Sequence, residues 1–132
     1  MRAGDFVALV GPLGAGKTCF VQGLGEGLHV EGQVRSPTFV LMRIHKGPVP
    51  LCHADAYRLE SAEELIDLGL DDWLADCVVA LEWADRVREA LPAERIELEI
   101  SYEGEGRRLK VTGIGERAAS LVERLKNEDP GD

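Results

Sequence analysis

Residues Gly11 to Thr18 read Gly-Pro-Leu-Gly-Ala-Gly-Lys-Thr, which fits G-x-x-x-x-G-K-[ST] at every fixed position. In such a loop successive backbone N–H groups from Gly11, Pro12's neighbours, Leu13, Gly14, Ala15 and Gly16 wrap an anionic phosphate chain, and the helix that follows adds its positive N-terminal end. Lys17 supplies a point charge to the outer phosphates, and the Thr18 hydroxyl is a ligand for Mg²⁺. The loop requires a buried strand before it and a helix after it, and both patterns are present. Asp5 to Val10 is a short apolar run of the kind buried on both faces. Lys17 to Leu28 carries Phe20, Val21, Leu24 and Leu28 at helical spacing. Gly23, Gly25 and Gly27 each weaken that helix by up to about 1 kcal/mol relative to alanine, so it needs a sheet to pack on. Seven of the 15 glycines fall between Gly4 and Gly27, which locates the excess in the loop and the helix behind it.

The rest of the chain reads as strands and helices around that unit. Thr38 to Ile44 and Leu51 to Tyr57 are β-rich and separated by Lys46-Gly47-Pro48, the pattern of a hairpin. Ser61-Ala-Glu-Glu64 is a capping box that starts a helix near Ala62, fading at Gly69 into a short acidic turn at Asp71-Asp72-Trp73. Cys77 to Leu81 is a second buried strand, and Ala84 to Ala90 a helix closed by Pro92. Ile96, Leu98 and Ile100 alternate with polar residues, as do Leu109 and Val111, which predicts an antiparallel hairpin with one wet face. Ala118, Leu121, Val122 and Leu125 mark a last helix. The expected fold is α/β: a P-loop NTPase-like mixed sheet with central parallel strands, antiparallel hairpins and flanking helices. With 132 residues the expectation is a single nucleotide-binding domain over residues 1–126 and a polar tail over 127–132.

Charge narrows the partners. Fifteen basic against twenty-four acidic residues give a net charge of −9, which argues against a broad nucleic-acid platform and for docking on basic protein surfaces. No apolar run approaches the roughly 20 residues that cross a bilayer. Cys19, Cys52 and Cys77 lie far apart and odd in number, so no disulfide framework is expected and a reducing, cytoplasmic setting is.

A phosphate loop needs a carboxylate from the end of a neighbouring strand to complete its metal site. Glu82 follows the apolar run Cys77 to Leu81 and resembles a Walker B acid with Glu in place of Asp. Asp55 is the second candidate. Period-two alternation puts His53, Asp55 and Tyr57 on one face and Cys52, Ala54 and Ala56 on the other. His53 taken alone reads as a structural histidine at least as readily as a functional one, and Cys52-His53 lacks the second pair that a zinc site needs. Thr38, in the loop after Ser36-Pro37, is a candidate switch residue sensing the γ-phosphate, and Arg58 and Arg86 are candidates for stabilising charge on a transferring phosphoryl group. Trp73 and Trp83 read as packing residues, with a gating or partner-facing role for Trp83 if it lies exposed beside the nucleotide.

Gly11-x-Leu-Gly-Ala-Gly-Lys-Thr18, Ser36-Pro-Thr38, His53-x-Asp-x-Tyr-Arg58 and Leu81-Glu-Trp83 occur in the order seen in the TsaE family, which this chain resembles from about Gly4 to the last helix. Members are small bacterial ATPases that support formation of threonylcarbamoyladenosine in tRNA together with TsaD and TsaB. The resemblance implies ATP and ADP as ligands, Mg²⁺ held by Thr18 and Glu82, and Thr38 and Asp55 near the γ-phosphate, so that Lys17, Thr38, Asp55 and Glu82 form the catalytic set. It also implies that Gly106 and Arg107 approach the base, that TsaD and TsaB are the protein partners, that tRNA is met only indirectly, and that turnover is slow without partners. The chain departs from the family's usual pattern at Pro12, where an acid is common, at Cys19, where a second Thr would serve the α-phosphate better than a thiol, and at Ala84, where Pro is common. Members usually carry a strand and a helix ahead of the P-loop strand that contribute to the base pocket, and this chain begins almost at that strand, so weaker ATP affinity is expected. Two other functions share the loop: a small-molecule or nucleotide kinase, and a nucleotide-dependent adaptor without catalysis. Glu60 to Asp76 contains no Arg, unlike a kinase lid, and no [NT]-K-x-D sequence is present to read guanine.

Overall fold

The computed structural model describes residues 1–12, 16–32, 42–57, 59, 61–67 and 69–128. In chain order the elements are β1 (Phe6–Val10), α1 (Lys17–Gly27), β2 (Met42–His45), β3 (Leu51–Asp55), α2 (Ala62–Asp67), α3 (Leu70–Leu74), β4 (Val78–Glu82), a 3-10 helix (Ala84–Ala90), β5 (Arg95–Glu103), β6 (Gly106–Ile114) and α4 (Glu116–Glu128). Among the described residues the strands form one sheet in the order β2-β3-β4-β1-β5-β6. β3, β4, β1 and β5 run parallel, while β2 and β6 close the two edges as antiparallel partners of β3 and β5. This is the mixed sheet expected, with the phosphate-loop strand at its centre.

Alternation along the strands divides the core. Phe6, Ala8, Cys52, Ala54, Val79 and Leu81 face one side, where Leu65 of α2 and Ala84 and Val87 of the 3-10 helix cover them. Val7, Leu9, Leu51, Val78, Ala80, Leu98 and Ile100 face the other, against Val21 of α1. On that second side Ile96 packs on Ala118 and Val122 of α4. The tertiary packing that the glycine-weakened α1 requires is thus supplied by the sheet. α4 is fixed at its start by two contacts. The Glu94 carboxylate accepts the Ala118 N–H at 2.7 Å, and the Arg117 guanidinium donates twice to Asp5, at 2.9 and 3.1 Å, tying the helix to the residue before β1.

Two local expectations change. Asp71 to Trp73 is not a turn but part of the five-residue helix α3. The segment Ala84–Ala90 is a 3-10 helix, broken at the fully buried Val87, whose φ of −133° and ψ of 34° are not helical. It ends at Leu91 in extended conformation, as expected for a residue preceding proline. The β2–β3 hairpin is confirmed over Met42–His45 and Leu51–Asp55, while 33–41 lie outside the described residues. α4 continues to Glu128.

Candidate functional site

The parallel strands all deliver their carboxyl ends to one edge of the sheet, and the phosphate loop leaves β1 there. Gly11 has to be glycine, because a Cβ on it would collide with the backbone carbonyl oxygen of Ile100 on β5. Gly16 opens α1 in the left-handed region, at φ 108° and ψ 19°, which an L side chain rarely adopts. Lys17 and Thr18 then stand on the first turn of α1.

Register explains why two acids meet this loop. Leu9 pairs with Glu82 and Glu82 with Asp55 across adjacent parallel strands, so Glu82 lies beside the end of β1 and Asp55 one strand further out. Alternation puts Glu82, with Val78 and Ala80, on the α1 side of β4, and Asp55, with Leu51 and His53, on the same side of β3. Asp55 and Glu82 are buried, at 8% and 3% exposure. The Thr18 hydroxyl lies 3.1 and 3.0 Å from the two carboxylate oxygens of Glu82. His53 reaches Glu82 from within the sheet, its Nε2 lying 2.5 Å from Oε2. A carboxylate offers only lone pairs, so Nε2 carries the proton and donates. Asp55 accepts the Tyr57 N–H at 2.8 Å, folding the end of β3 back on itself.

The Lys17 ammonium donates to the carbonyl oxygens of Gly11 at 2.6 Å and Pro12 at 2.9 Å, and lies 3.8 Å from the centre of the Trp83 ring. Trp83 gets there because its backbone is left-handed, at φ 58° and ψ 36°, a conformation that costs a non-glycine residue about 1–2 kcal/mol. Tyr57 packs against Trp83 with the rings tilted by 50° and 4.9 Å between centres, and the Arg86 guanidinium lies 5.5 Å from the Tyr57 ring. Burial lowers the Lys17 pKa from its ordinary value, opposed by the fields of Glu82, Asp55 and Asp85.

Burial raises the Asp55 pKa above the ordinary carboxylate value of 3.8, opposed by the Tyr57 N–H; the Glu82 charge raises it further, and His53 and Lys17 oppose. The fold therefore disfavours the ionised form. The cost is full above the folded-state pKa and fades as the pH falls towards 3.8, where both folded and unfolded chains become protonated. Asp55→Asn keeps an oxygen for the Tyr57 N–H, so the variant should melt at a higher temperature than the parent at neutral pH, with the gain shrinking as the buffer approaches that value. Thermal unfolding across a pH series checks this; a variant that melts lower at neutral pH would overturn it.

Of the residues singled out from sequence, the structure brings Gly11, Gly16, Lys17, Thr18, Asp55 and Glu82 into one cluster. Pro12 is exposed at the loop, and Cys19 is exposed on α1. Gly106 and Arg107 open β6 at the tip of a hairpin that runs past β1 on the loop side, since Val10 pairs with Glu99 and β5 continues to Glu103. There the Arg107 guanidinium covers the Tyr102 ring at 4.2 Å. Leu13, Gly14, Ala15, Thr38 and Arg58 lie outside the described residues. Cys52 faces away from His53 into the opposite core layer, so the two do not converge on one site, and burial, aided by Cys77, pushes its thiol up to about 12. The His53–Glu82 contact and the seating of Lys17 under Trp83 were not foreseen.

The donors around Thr18 are a hydroxyl and a carboxylate, hard oxygens that suit Mg²⁺. Among the described residues no three His, Cys, Asp or Glu side chains are placed to cage an ion, so a cation here would complete its shell with water and phosphate oxygens, as Mg²⁺ does in phosphate-loop sites. Also among the described residues, no helix is long and apolar enough to cross a membrane.

A central parallel sheet, a glycine loop opening onto a helix, and an acid at the end of the adjacent strand define the P-loop NTPase-like class. The TsaE family model, described as "Threonylcarbamoyl adenosine biosynthesis protein TsaE", matches residues 1–110, and the chain belongs to that family. It is 48% identical over 130 residues to the tRNA threonylcarbamoyladenosine biosynthesis protein TsaE of Streptomyces coelicolor, covering 91% of this chain and 87% of that one. Identity to the protein of the same name from Bacillus subtilis is 40% over 131 residues, covering 97% and 82%. The crystal structure of Bacillus subtilis YdiB superposes with a TM-score of 0.83 at 35% identity, covering 98% of this chain and 81% of that one.

Proposed function

We propose that this chain is an Mg²⁺-dependent ATPase that supports threonylcarbamoylation of adenosine in tRNA by acting on TsaD and TsaB. The observation that carries the reading is the Thr18 hydroxyl held at 3.0 Å from the carboxylate of Glu82, beside a loop whose lysine is already seated. In this reading the loop amides and the N-terminus of α1 hold the phosphates of ATP, and Lys17 turns its ammonium from the Gly11 and Pro12 carbonyls to the outer phosphates. Thr18 and Glu82 hold the cation, which when bound offsets charge on the β- and γ-phosphates. Asp55, side by side with Glu82, accepts a hydrogen bond from the attacking water and orients it toward the γ-phosphorus, with Thr38 as the second group there. Water adds, the bond to ADP breaks, and inorganic phosphate leaves. Arg107, at the hairpin tip, is the residue that would approach the base.

Partner dependence is carried by the family to which the chain belongs. The Arg86 guanidinium lies over the Tyr57 ring, and that of Arg107 over Tyr102. A slow enzyme alone, accelerated by TsaD and TsaB, is the expected behaviour. The pathway assignment rests on family membership and on the net charge of −9, which suits a protein that docks on a basic partner rather than on tRNA.

The test is phosphate release from ATP, measured alone and with TsaD and TsaB, for the parent chain and for Glu82→Gln. The substitution keeps the shape but removes the charge that holds the cation, and Mg²⁺-dependent turnover should fall by about 100-fold or more. Undiminished tRNA modification with the hydrolysis-deficient variant would mean that ATP binding alone is the signal.

A further inference from the structure

His53 occupies an interior position of β3, on the side facing α1, with no exposed surface. Two residues earlier on the same side stands Leu51, an ordinary core aliphatic. A strand position of this kind is filled at less cost by a hydrocarbon than by an imidazole, unless the ring does something a hydrocarbon cannot. What the ring does is one-sided. Its Nε2 donates to Glu82 at 2.5 Å, while among the described residues Nδ1 has no hydrogen-bond partner. A histidine kept for general polar packing would satisfy both nitrogens; this one leaves a buried acceptor bare and commits its proton to the Glu82 carboxylate.

That carboxylate is gripped from two directions. Thr18 donates from α1, at 3.0 Å to Oε2 and 3.1 Å to Oε1, and His53 donates to Oε2 from the sheet. The two grips are not equivalent. A Thr18 hydroxyl that turns its lone pair to a cation no longer restrains Glu82 in the same way, whereas the His53 bond comes from behind the carboxylate and persists. We infer that His53 is the positioning residue for Glu82, fixing the carboxylate in the orientation that a divalent cation beside Thr18 requires. It touches neither nucleotide nor cation. The inference rests on the reading of Thr18 and Glu82 as the cation site. Partners of a ligating carboxylate in other metal sites typically change metal affinity about 10- to 100-fold when removed.

The experiment titrates Mg²⁺ into the full chain with a non-hydrolysable ATP analogue, by calorimetry, and repeats the binding with Mn²⁺, whose electron paramagnetic resonance signal reports coordination directly. Three variants separate the hydrogen bond from packing. His53→Leu removes the donor. His53→Asn places an amide nitrogen near the Nδ1 position, away from Glu82. His53→Gln places one near the Nε2 position, toward it. Leu and Asn should weaken Mg²⁺ binding about 10- to 100-fold while affinity for the analogue in EDTA stays within about twofold, and Gln should recover most of the loss. If His53→Leu does not fold, the contrast between Asn and Gln carries the test, with melting curves in EDTA showing both folded. The inference is overturned if Leu or Asn binds Mg²⁺ as the parent does, if Gln is no better than Asn, or if analogue affinity in EDTA falls in step with Mg²⁺ affinity. A parent chain that binds the analogue identically with and without Mg²⁺ would instead remove the cation site itself, and with it the role of His53.

Discussion

Lys17→Ala should lower ATP hydrolysis by about 100- to 1,000-fold, the loss seen when a single preorganised group facing transition-state charge is removed. Lys17 is 5% exposed, its ammonium held by two loop carbonyls and covered by the Trp83 ring. Burial has thus already lowered its pKa, and a charge in such a setting interacts more strongly than one in water. Lys17→Arg should not restore turnover, because a planar guanidinium cannot sit as a compact point charge between the Gly11 and Pro12 carbonyls and the indole face. Phosphate release under saturating ATP and Mg²⁺ measures the effect, with thermal melting beside it. A variant that hydrolyses within tenfold of the parent would remove Lys17 from the mechanism; one whose melting transition falls to the assay temperature would show that unfolding, not chemistry, had been measured.

Leu9→Ala should destabilise the fold by about 3–5 kcal/mol, a large share of the roughly 5–15 kcal/mol that holds a domain of this kind together. Leu9 is fully buried on the central strand and packs in the layer formed by Val21, Leu51, Leu98 and Ile100. Its neighbours are anchored by hydrogen bonding on both sides, to β4 through the pairing with Glu82 and to β5 through the pairing with Leu98, so they cannot collapse into the space left. Leu109→Ala is the matched control: Leu109 is 55% exposed on the edge strand, and its loss should change stability by about 0.5 kcal/mol at most. Urea unfolding of the two variants gives both numbers. Similar losses for the two would mean that Leu9 does not carry the core.

The sequence made the loop legible because its chemistry is written in consecutive residues: the glycines, Lys17 and Thr18 need only each other and a helix. The acids could be read halfway. Period-two alternation placed His53 and Asp55 on one face of β3, and the apolar run ahead of Glu82 marked it as a strand-end carboxylate. That Asp55 and Glu82 pair side by side depends on the register of β3 against β4, which no local pattern encodes. The His53–Glu82 bond was hidden for the same reason. α3 was read as a turn because its five residues include two adjacent aspartates, poor helix formers whose cost is outweighed by packing on β4. Trp83 was read as a packing residue with an optional gating role; only its left-handed backbone, unpredictable for a tryptophan, turns the ring over Lys17.

The central place of β1 also governs how the chain is born. Its flanking partners begin only at Val78 and Arg95, so at roughly 5–20 residues per second of translation its apolar run waits on the order of three to fourteen seconds with neither neighbour made. α1 can coil during that interval but has no sheet to rest on, and the loop between them has no Ile100 carbonyl to press against Gly11. The segment proposed to bind phosphate is therefore among the earliest to leave the ribosome and among the latest to take shape. A nascent chain stalled before β5 should be sensitive to protease and sticky toward chaperones, and in the proposed reading protection by ATP should appear only after the hairpin that follows Arg95 has been synthesised.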